Sequence, residues 1–195
     1  MKLEEIDISG CVLETERLIL RLFKESDLND FYEYAKVEGV GECAGWSHHK
    51  SIDESKEILT HFIKEHRTFA LTDKRSGKVI GSIGIERTDK EVCEREFADK
   101  NTNGIGYVLS KDYWGNGLMT EAVKAVIIFL FNELNCDAVT VGHFVHNDRS
   151  RRVIEKCGFV YYADSKYETK YGATFNTKYY VLTREQFESL RGKVF

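Results

Sequence analysis

Apolar and polar positions along this chain change period several times, and the sharpest change falls inside Ile105 to Phe131, IGYVLSKDYWGNGLMTEAVKAVIIFLF. Ile105 to Ser110 is short and β-prone and turns polar at Lys111. Beyond Gly117 the apolar positions Leu118, Ala122, Val126, Phe129 and Leu130 recur at helical spacing. The stretch predicts strand, loop, helix. Its Ala125 to Phe131 part is apolar on every side, as in a helix buried against a sheet, and falls well short of the ~20 residues of a membrane span.

The same periods organise the rest. Residues 1–12 read as a lead-in, and a first strand falls near Arg17 to Leu22. Ser26 can cap a helix whose apolar face is Leu28, Phe31, Tyr32 and Ala35. Gly39 to Lys50 is a loop; Ser51 and Glu54 have capping-box spacing, opening a helix with the face Ile58, Leu59, Phe62 and Ile63. Thr68 to Thr72 and Val79 to Glu86 read as paired strands across the turn Asp73 to Gly77, and Thr88 to Asn103 as a charged loop. After the central unit come a strand Ala138 to Val145, a helix Arg149 to Cys157 and a strand near Phe159 to Tyr162. A tyrosine-rich hairpin turn, a strand Lys178 to Thr183 and a helix Arg184 to Leu190 close the order. This predicts mixed α/β (α+β) with a mainly antiparallel central sheet flanked by helices, in one domain over residues 1–195.

Composition alters this picture little. Hydrophobic residues at 42% and charged residues at 31% suit an ordinary globular enzyme. A net charge of −4 argues against nucleic acid or anionic membrane as partner. The opening MKLEEIDISG is acidic with no apolar signal core, and the five cysteines include no C-x-x-C pair, so a cytoplasmic chain with reduced thiols is expected. His48 and His49 are adjacent without further ligands at close spacing, and His143 and His146 fall on opposite faces of a strand. No metal is expected.

Gly115 and Gly117 stand where a loop would present backbone N–H groups at the opening of a helix, a cheap way to hold a phosphate. Two glycines in that place also serve as a plain turn and cap. The loop lacks the Gly-Lys-Ser/Thr ending of a nucleotide P-loop. A second segment follows the strand Ala138 to Val145: Asn147-Asp-Arg-Ser150-Arg-Arg-Val-Ile-Glu-Lys156-Cys-Gly158-Phe159. There Arg149, Arg151, Arg152 and Lys156 crowd one helix start, either as a solvated face of mixed charge or as a site for phosphates.

Together, in this order and with that strand between them, the two segments resemble the GNAT superfamily of acyl-CoA N-acyltransferases, in its branch related to the ribosomal-protein alanine N-acetyltransferases. Leu13-Glu-Thr-Glu-Arg-Leu-Ile-Leu-Arg21 looks like the first strand of that branch. The resemblance implies a sheet whose two middle strands splay apart, with acetyl-CoA lying in the gap and no metal. Val108 and Leu109 would face the pantetheine, one of them offering an amide N–H to the thioester carbonyl. Trp114, Gly115, Asn116, Gly117, Leu118 and Met119 would hold the pyrophosphate, with Asn147 and Ser150 also on the cofactor. Trp46 and Tyr107 would lie on the acceptor side, although a tryptophan such as Trp46 can equally plug its loop onto the core. Families of this kind are frequently homodimeric.

The chain departs from the family pattern at three places. Asp112 replaces the usual Gln or Arg of the glycine loop, Gly104 stands where the branch carries a glutamate base, and Ile154 where the family carries a tyrosine acid. Ser150, on the face of Asn147, is the substitute acid the branch suggests, or simply a helix cap. Glu86, at the end of a strand expected to neighbour the central one, is the substitute base, or a solvated carboxylate; His48, His49 and His143 follow it. Cys157, beside Gly158 at a helix C-terminus, is disfavoured as a nucleophile because the helix dipole raises its pKa. An α-amine of pKa ~7.8 is roughly a tenth neutral at pH 7 and a lysine of ~10.4 under a thousandth, so a weak base favours an N-terminal α-amine or a small low-pKa amine. Two functions stand: acetyl transfer from acetyl-CoA to a primary amine in a ternary complex, or a catalytically weak module that binds acyl-CoA for regulation.

Overall fold

A computed structural model describes residues 6–86, 88, 96–97, 99–169 and 171–195. Among them eight strands form one sheet: β1 (Leu13–Glu14), β2 (Leu18–Leu22), β3 (Thr68–Asp73), β4 (Val79–Glu86), β5 (Thr102–Leu109), β6 (Ala138–Phe144), β7 (Val160–Glu168) and β8 (Thr174–Thr183). Their order is β1-β2-β3-β4-β5-β6-β8-β7. Every neighbouring pair is antiparallel except β5 and β6, whose parallel join requires a crossover. Helix α3 (Leu118–Asn132) is that crossover; α1 (Leu28–Ala35) and α2 (Ile52–Glu65) come before β3, α4 (Asp148–Lys156) follows β6, and α5 (Arg184–Leu190) closes the chain. The α/β class and the mainly antiparallel sheet are as the sequence predicts.

Both faces of the sheet are covered at β3, which is why that strand is buried throughout. On one face α3 packs Leu118, Ala122, Val126, Ile127 and Leu130 against Leu20, Phe69, Leu71, Ile83 and Ile105. On the other, α1 and α2 press Phe31, Tyr34 and Leu59 against Phe23, Ala70 and Val79. The alternation Phe69, Ala70, Leu71 sends neighbours to opposite faces, as a pleat must.

Several boundaries differ from expectation. The first helix opens on Asp27 rather than Ser26, which lies within the short turn Glu25–Asp27; the Asp27 carboxylate makes no cap bond to the helix and takes both guanidinium arms of Arg21, at 2.7 and 2.9 Å, and the Lys24 N–H. Tyr34 rather than Tyr32 joins its buried face. Ser51 caps α2 as predicted, its Oγ accepting from Glu54 N at 3.2 Å. The tyrosine-rich hairpin is mostly strand: β7 runs on to Glu168 and β8 begins at Thr174. The Lys178–Asp164 pair (2.9 Å) and the Thr169–Ala173 turn hold that extension. The loop expected over Thr88 to Asn103 lies largely outside the described residues, and its end, Thr102 and Asn103, belongs to β5.

The splay between the middle strands is explicit in the register. β5 and β6 pair only at Thr102 with Ala138, Asn103 with Val139 and Gly104 with Thr140, while β4 and β5 stay paired from Glu86–Gly104 to Gly81–Leu109. Past Gly104, β5 therefore has an open edge toward β6.

Candidate active site

That open edge has a definite polarity. Residues of an antiparallel strand alternate the edge to which their N–H and C=O point. Ser110 donates its N–H to Ile80 O on β4 at 2.8 Å, so Val108 also faces β4, while Tyr107 and Leu109 face the gap. Of the two amides expected to meet a thioester, the alternation thus leaves Leu109 on the gap and turns Val108 into the sheet. The Leu109 carbonyl is taken by Trp114 Nε1 at 2.8 Å, which leaves its N–H as the group on offer.

The strand runs through a short turn, Lys111–Tyr113, into a loop bent by left-handed glycines: Gly115 at φ 79° and Gly117 at φ 77°. Gly117 caps α3, so the first-turn N–H groups of Leu118, Met119 and Thr120 have no preceding helical carbonyl to reach. The helix dipole adds positive potential there.

The gap and loop open into a cavity of about 640 Å³. Of the expected site residues, Trp46, Glu86, Tyr107, Val108, Leu109, Trp114, Gly115, Gly117, Leu118, Met119, Asn147 and Ser150 line it. Asn116 does not: its side chain turns back to the Tyr113 and Trp114 carbonyls and its own carbonyl accepts from Arg17. The basic cluster also divides. Arg149, Arg152 and Lys156 line the cavity, whereas Arg151 is tied to Asp148 and Glu155 on its own helix. Arg149 lies over the Trp114 ring at 4.0 Å, spanning the mouth between the glycine loop and α4.

Asn147 and Ser150 are buried and joined, Asn147 Oδ1 accepting from Ser150 N at 3.2 Å as the cap of α4. The Asn147 amide also donates to Cys43 O, at 3.2 Å, clasping the loop that carries Trp46. Tyr107, expected on the acceptor side, lines the cavity with its hydroxyl 2.8 Å from Ser150 Oγ. Burial pushes the Tyr107 hydroxyl pKa well up, against the opposing effect of the Ser150 bond, so this tyrosine stays protonated near neutral pH.

Glu86 is the sole carboxylate among the described residues that line the cavity. It ends β4, in register with Gly104, and its side chain leans across Gly106, where an added Cβ would stand 2.4 Å from Oε1. Tyr167 of the hairpin is close enough for the charge of Glu86, after burial, to raise its hydroxyl pKa. Tyr167 also touches the place of a Cβ on Gly45, in the Trp46 loop. Sequence reasoning missed Gly106 and Tyr167; a glycine within the strand Ile-Gly-Tyr was the available signal of a close approach.

The histidines offered as weaker bases are engaged. His48 Nδ1 meets Glu42 Oε1 at 2.8 Å and buried His49 Nδ1 meets Ser55 Oγ at 2.7 Å, neither lining the cavity. His143 lines it, but its two ring nitrogens meet Phe144 O and the Tyr180 hydroxyl. Trp46 lines the cavity and also packs on the α1–α2 core. Cys157 is fully buried, and burial rather than the helix dipole pushes its thiol up to about 12. Among the described residues no group of three or more His, Cys, Asp or Glu could hold a metal, and no helix is long and apolar enough to cross a membrane.

Comparison with known proteins bears on this geometry. The family model described as "Acetyltransferase (GNAT) domain" matches residues 17–160. A Bacillus subtilis (strain 168) protein named "Probable N-acetyltransferase YjcK" is 30% identical over 136 residues, 69% of this chain and 70% of that protein. Among solved structures, the ribosomal-protein-S5-alanine acetyltransferase from Vibrio fischeri superposes with a TM-score of 0.70 at 22% identity, covering 89% of this chain and 97% of that one. AAC(6')-Ib, solved in complex with ribostamycin and coenzyme A, superposes with a TM-score of 0.69 at 23% identity, covering 91% of this chain and 99% of that one.

Proposed function

The chain belongs to the GNAT acetyltransferase family and is an N-acetyltransferase, and we propose that it moves the acetyl group of acetyl-CoA directly to a primary amine in a ternary complex in the cytoplasm. The observation that carries this reading is the open β5 edge: the Leu109 N–H faces a gap whose one end is the glycine loop and whose wall carries Glu86, the sole carboxylate among the described residues lining it. The GNAT fold binds coenzyme A, as in the AAC(6')-Ib complex. Here the Gly115–Met119 backbone would take the diphosphate, with Arg149, Arg152 and Lys156 supplying positive charge nearby.

The reaction asks three things of these residues. The Leu109 N–H would polarise the thioester carbonyl, stabilising the oxyanion that forms as the amine nitrogen attacks. Glu86 would take the proton the nitrogen sheds; its register partner Gly104 holds the place of the family's glutamate, and partners across a ladder share a face with Cβ atoms ~4.5–5.5 Å apart. The carboxylate is thus supplied from one strand over. As the carbon–sulfur bond breaks, the Ser150 hydroxyl would donate to the departing thiolate, its oxygen in turn accepting from Tyr107.

An alanine at Gly117 tests the cradle. The left-handed φ of 77° strains any Cβ by ~1–2 kcal/mol, while the nearest atom to that Cβ, Arg17 Nη2 at 3.7 Å, leaves it room. Gly117→Ala should raise KM for acetyl-CoA about tenfold with kcat little changed, read by steady-state kinetics against acetyl-CoA concentration.

The acceptor is proposed to be an N-terminal α-amine or a small-molecule amine. Two structural neighbours support that range, one named for acetylating a ribosomal-protein S5 alanine and the other solved in complex with ribostamycin. Peptides, amino acids, aminoglycosides and polyamines incubated with acetyl-CoA, with free CoA and acetylated product followed by mass spectrometry, test it. Turnover is expected with at least one α-amine or small amine. Acetyl-CoA binding without turnover on any of them would favour the acyl-CoA-binding regulatory module instead.

A further inference from the structure

Arg17 sits in the turn between β1 and β2, in the segment Leu13 to Arg21, yet its side chain reaches α3 and the glycine loop. Its Nε and Nη2 lie 2.7 and 2.6 Å from Glu121 Oε2, and its backbone N–H donates to Glu121 Oε1 at 2.8 Å. Thr15 Oγ1 donates to the same oxygen at 2.5 Å. The remaining arm, Nη1, donates to Asn116 O at 2.9 Å, inside the Gly115–Gly117 turn.

Two consequences follow from elementary geometry and charge. Across a planar trans peptide the C=O and the next N–H point in opposite directions. Holding the Asn116 carbonyl toward Arg17 therefore turns the Gly117 N–H to the other side, away from the guanidinium. Glu121, in the first turn of α3, is a negative charge close to the place where a diphosphate would bind, and the guanidinium compensates it. Burial raises the Glu121 pKa, but the bonds from Thr15 and Arg17 outweigh it and hold the carboxyl below its ordinary value, so the charge is present at neutral pH.

We propose that Arg17 is a positioning residue for the diphosphate of acetyl-CoA: it locks the Asn116–Gly117 peptide with its N–H outward and neutralises Glu121 beneath the loop. The proposal rests on the reading of the glycine loop as the diphosphate cradle. It predicts an effect confined to donors that carry a diphosphate.

The test compares acetyl-CoA with S-acetylpantetheine, which lacks the nucleotide and diphosphate, in wild type, Arg17→Ala and Arg17→Lys. Arg17→Ala should raise KM for acetyl-CoA about tenfold, with kcat at saturation within about twofold and kcat/KM for S-acetylpantetheine unchanged. Arg17→Lys keeps a charge on Glu121 but cannot also span to Asn116, so it should show the same split at smaller amplitude; it keeps the test standing should the alanine variant not fold. Equal losses on both donors, a loss in kcat alone, or no change would overturn the role of Arg17. A wild type that does not prefer acetyl-CoA over S-acetylpantetheine in KM would instead remove the cradle reading itself.

Discussion

Glu86→Gln is expected to lower kcat about 10³-fold and leave the Kd for acetyl-CoA within about twofold. The substitution keeps the size and hydrogen-bonding reach of the side chain and removes its capacity to accept a proton, a loss that ordinarily costs ~10²–10⁴ in rate. The size of the effect follows from the lining: among the described residues that form it no second carboxylate stands ready to take over. The histidines in the Trp46 loop, His48 and His49, are tied to Glu42 and Ser55 and lie outside the lining. Steady-state release of CoA measures the first quantity and calorimetric titration the second. Unchanged turnover would remove Glu86 from the mechanism. A parallel loss of acetyl-CoA affinity would make it a cofactor ligand instead of a base.

The sequence carried most of the frame because its frame is written in periods and punctuation. The switch from a short β-prone stretch to helical spacing beyond Gly117, the Ser51 cap and the apolar run of α3 are local signals, and the structure reproduces each. What escaped depends on which partner a side chain meets in the fold. Ser26 and Asp27 both suit a helix start, and Asp27 gives its carboxylate to Arg21 instead of to a cap bond with α1. The β7–β8 hairpin contains Asp164, Ser165 and Lys166, which read as turn residues until the cross-strand pairing with Lys178 and Thr177 is known. Arg149 and Arg151 are alike in composition; the carboxylates of Asp148 and Glu155 hold one while Trp114, across the gap, holds the other. The motif pointed to a place for a diphosphate, but not to the bond from Arg17 to the Asn116 carbonyl within it.

Register also decides the second large effect, Gly106→Ala, expected to lower kcat about 10²-fold without loss of stability. Gly84 pairs with Gly106 and Glu86 with Gly104, and the Glu86 carboxylate lies against the Gly84 and Gly106 positions. A Cβ on Gly106 would come within 2.4 Å of Oε1, 2.8 Å of Cδ and 3.0 Å of Oε2 of Glu86. All three atoms are the far end of a flexible side chain, so the backbone need not move. Gly106 is absent from the positive-φ glycines, and alanine in a strand costs the chain less entropy than glycine, so the melting temperature should hold or rise slightly. The carboxylate must swing aside by about 1 Å, a misplacement that costs on the order of 10²-fold where a proton is to be passed. Kinetics and thermal melting on the same preparation separate the two effects. If kcat is retained with Gly106→Ala while Glu86→Gln abolishes it, the base acts from another rotamer than the one resting on Gly106. If both variants retain turnover, the proton leaves by a route that does not involve β4. A tenfold rise in KM for acetyl-CoA in place of the fall in kcat would move Gly106 to the cofactor side of the gap.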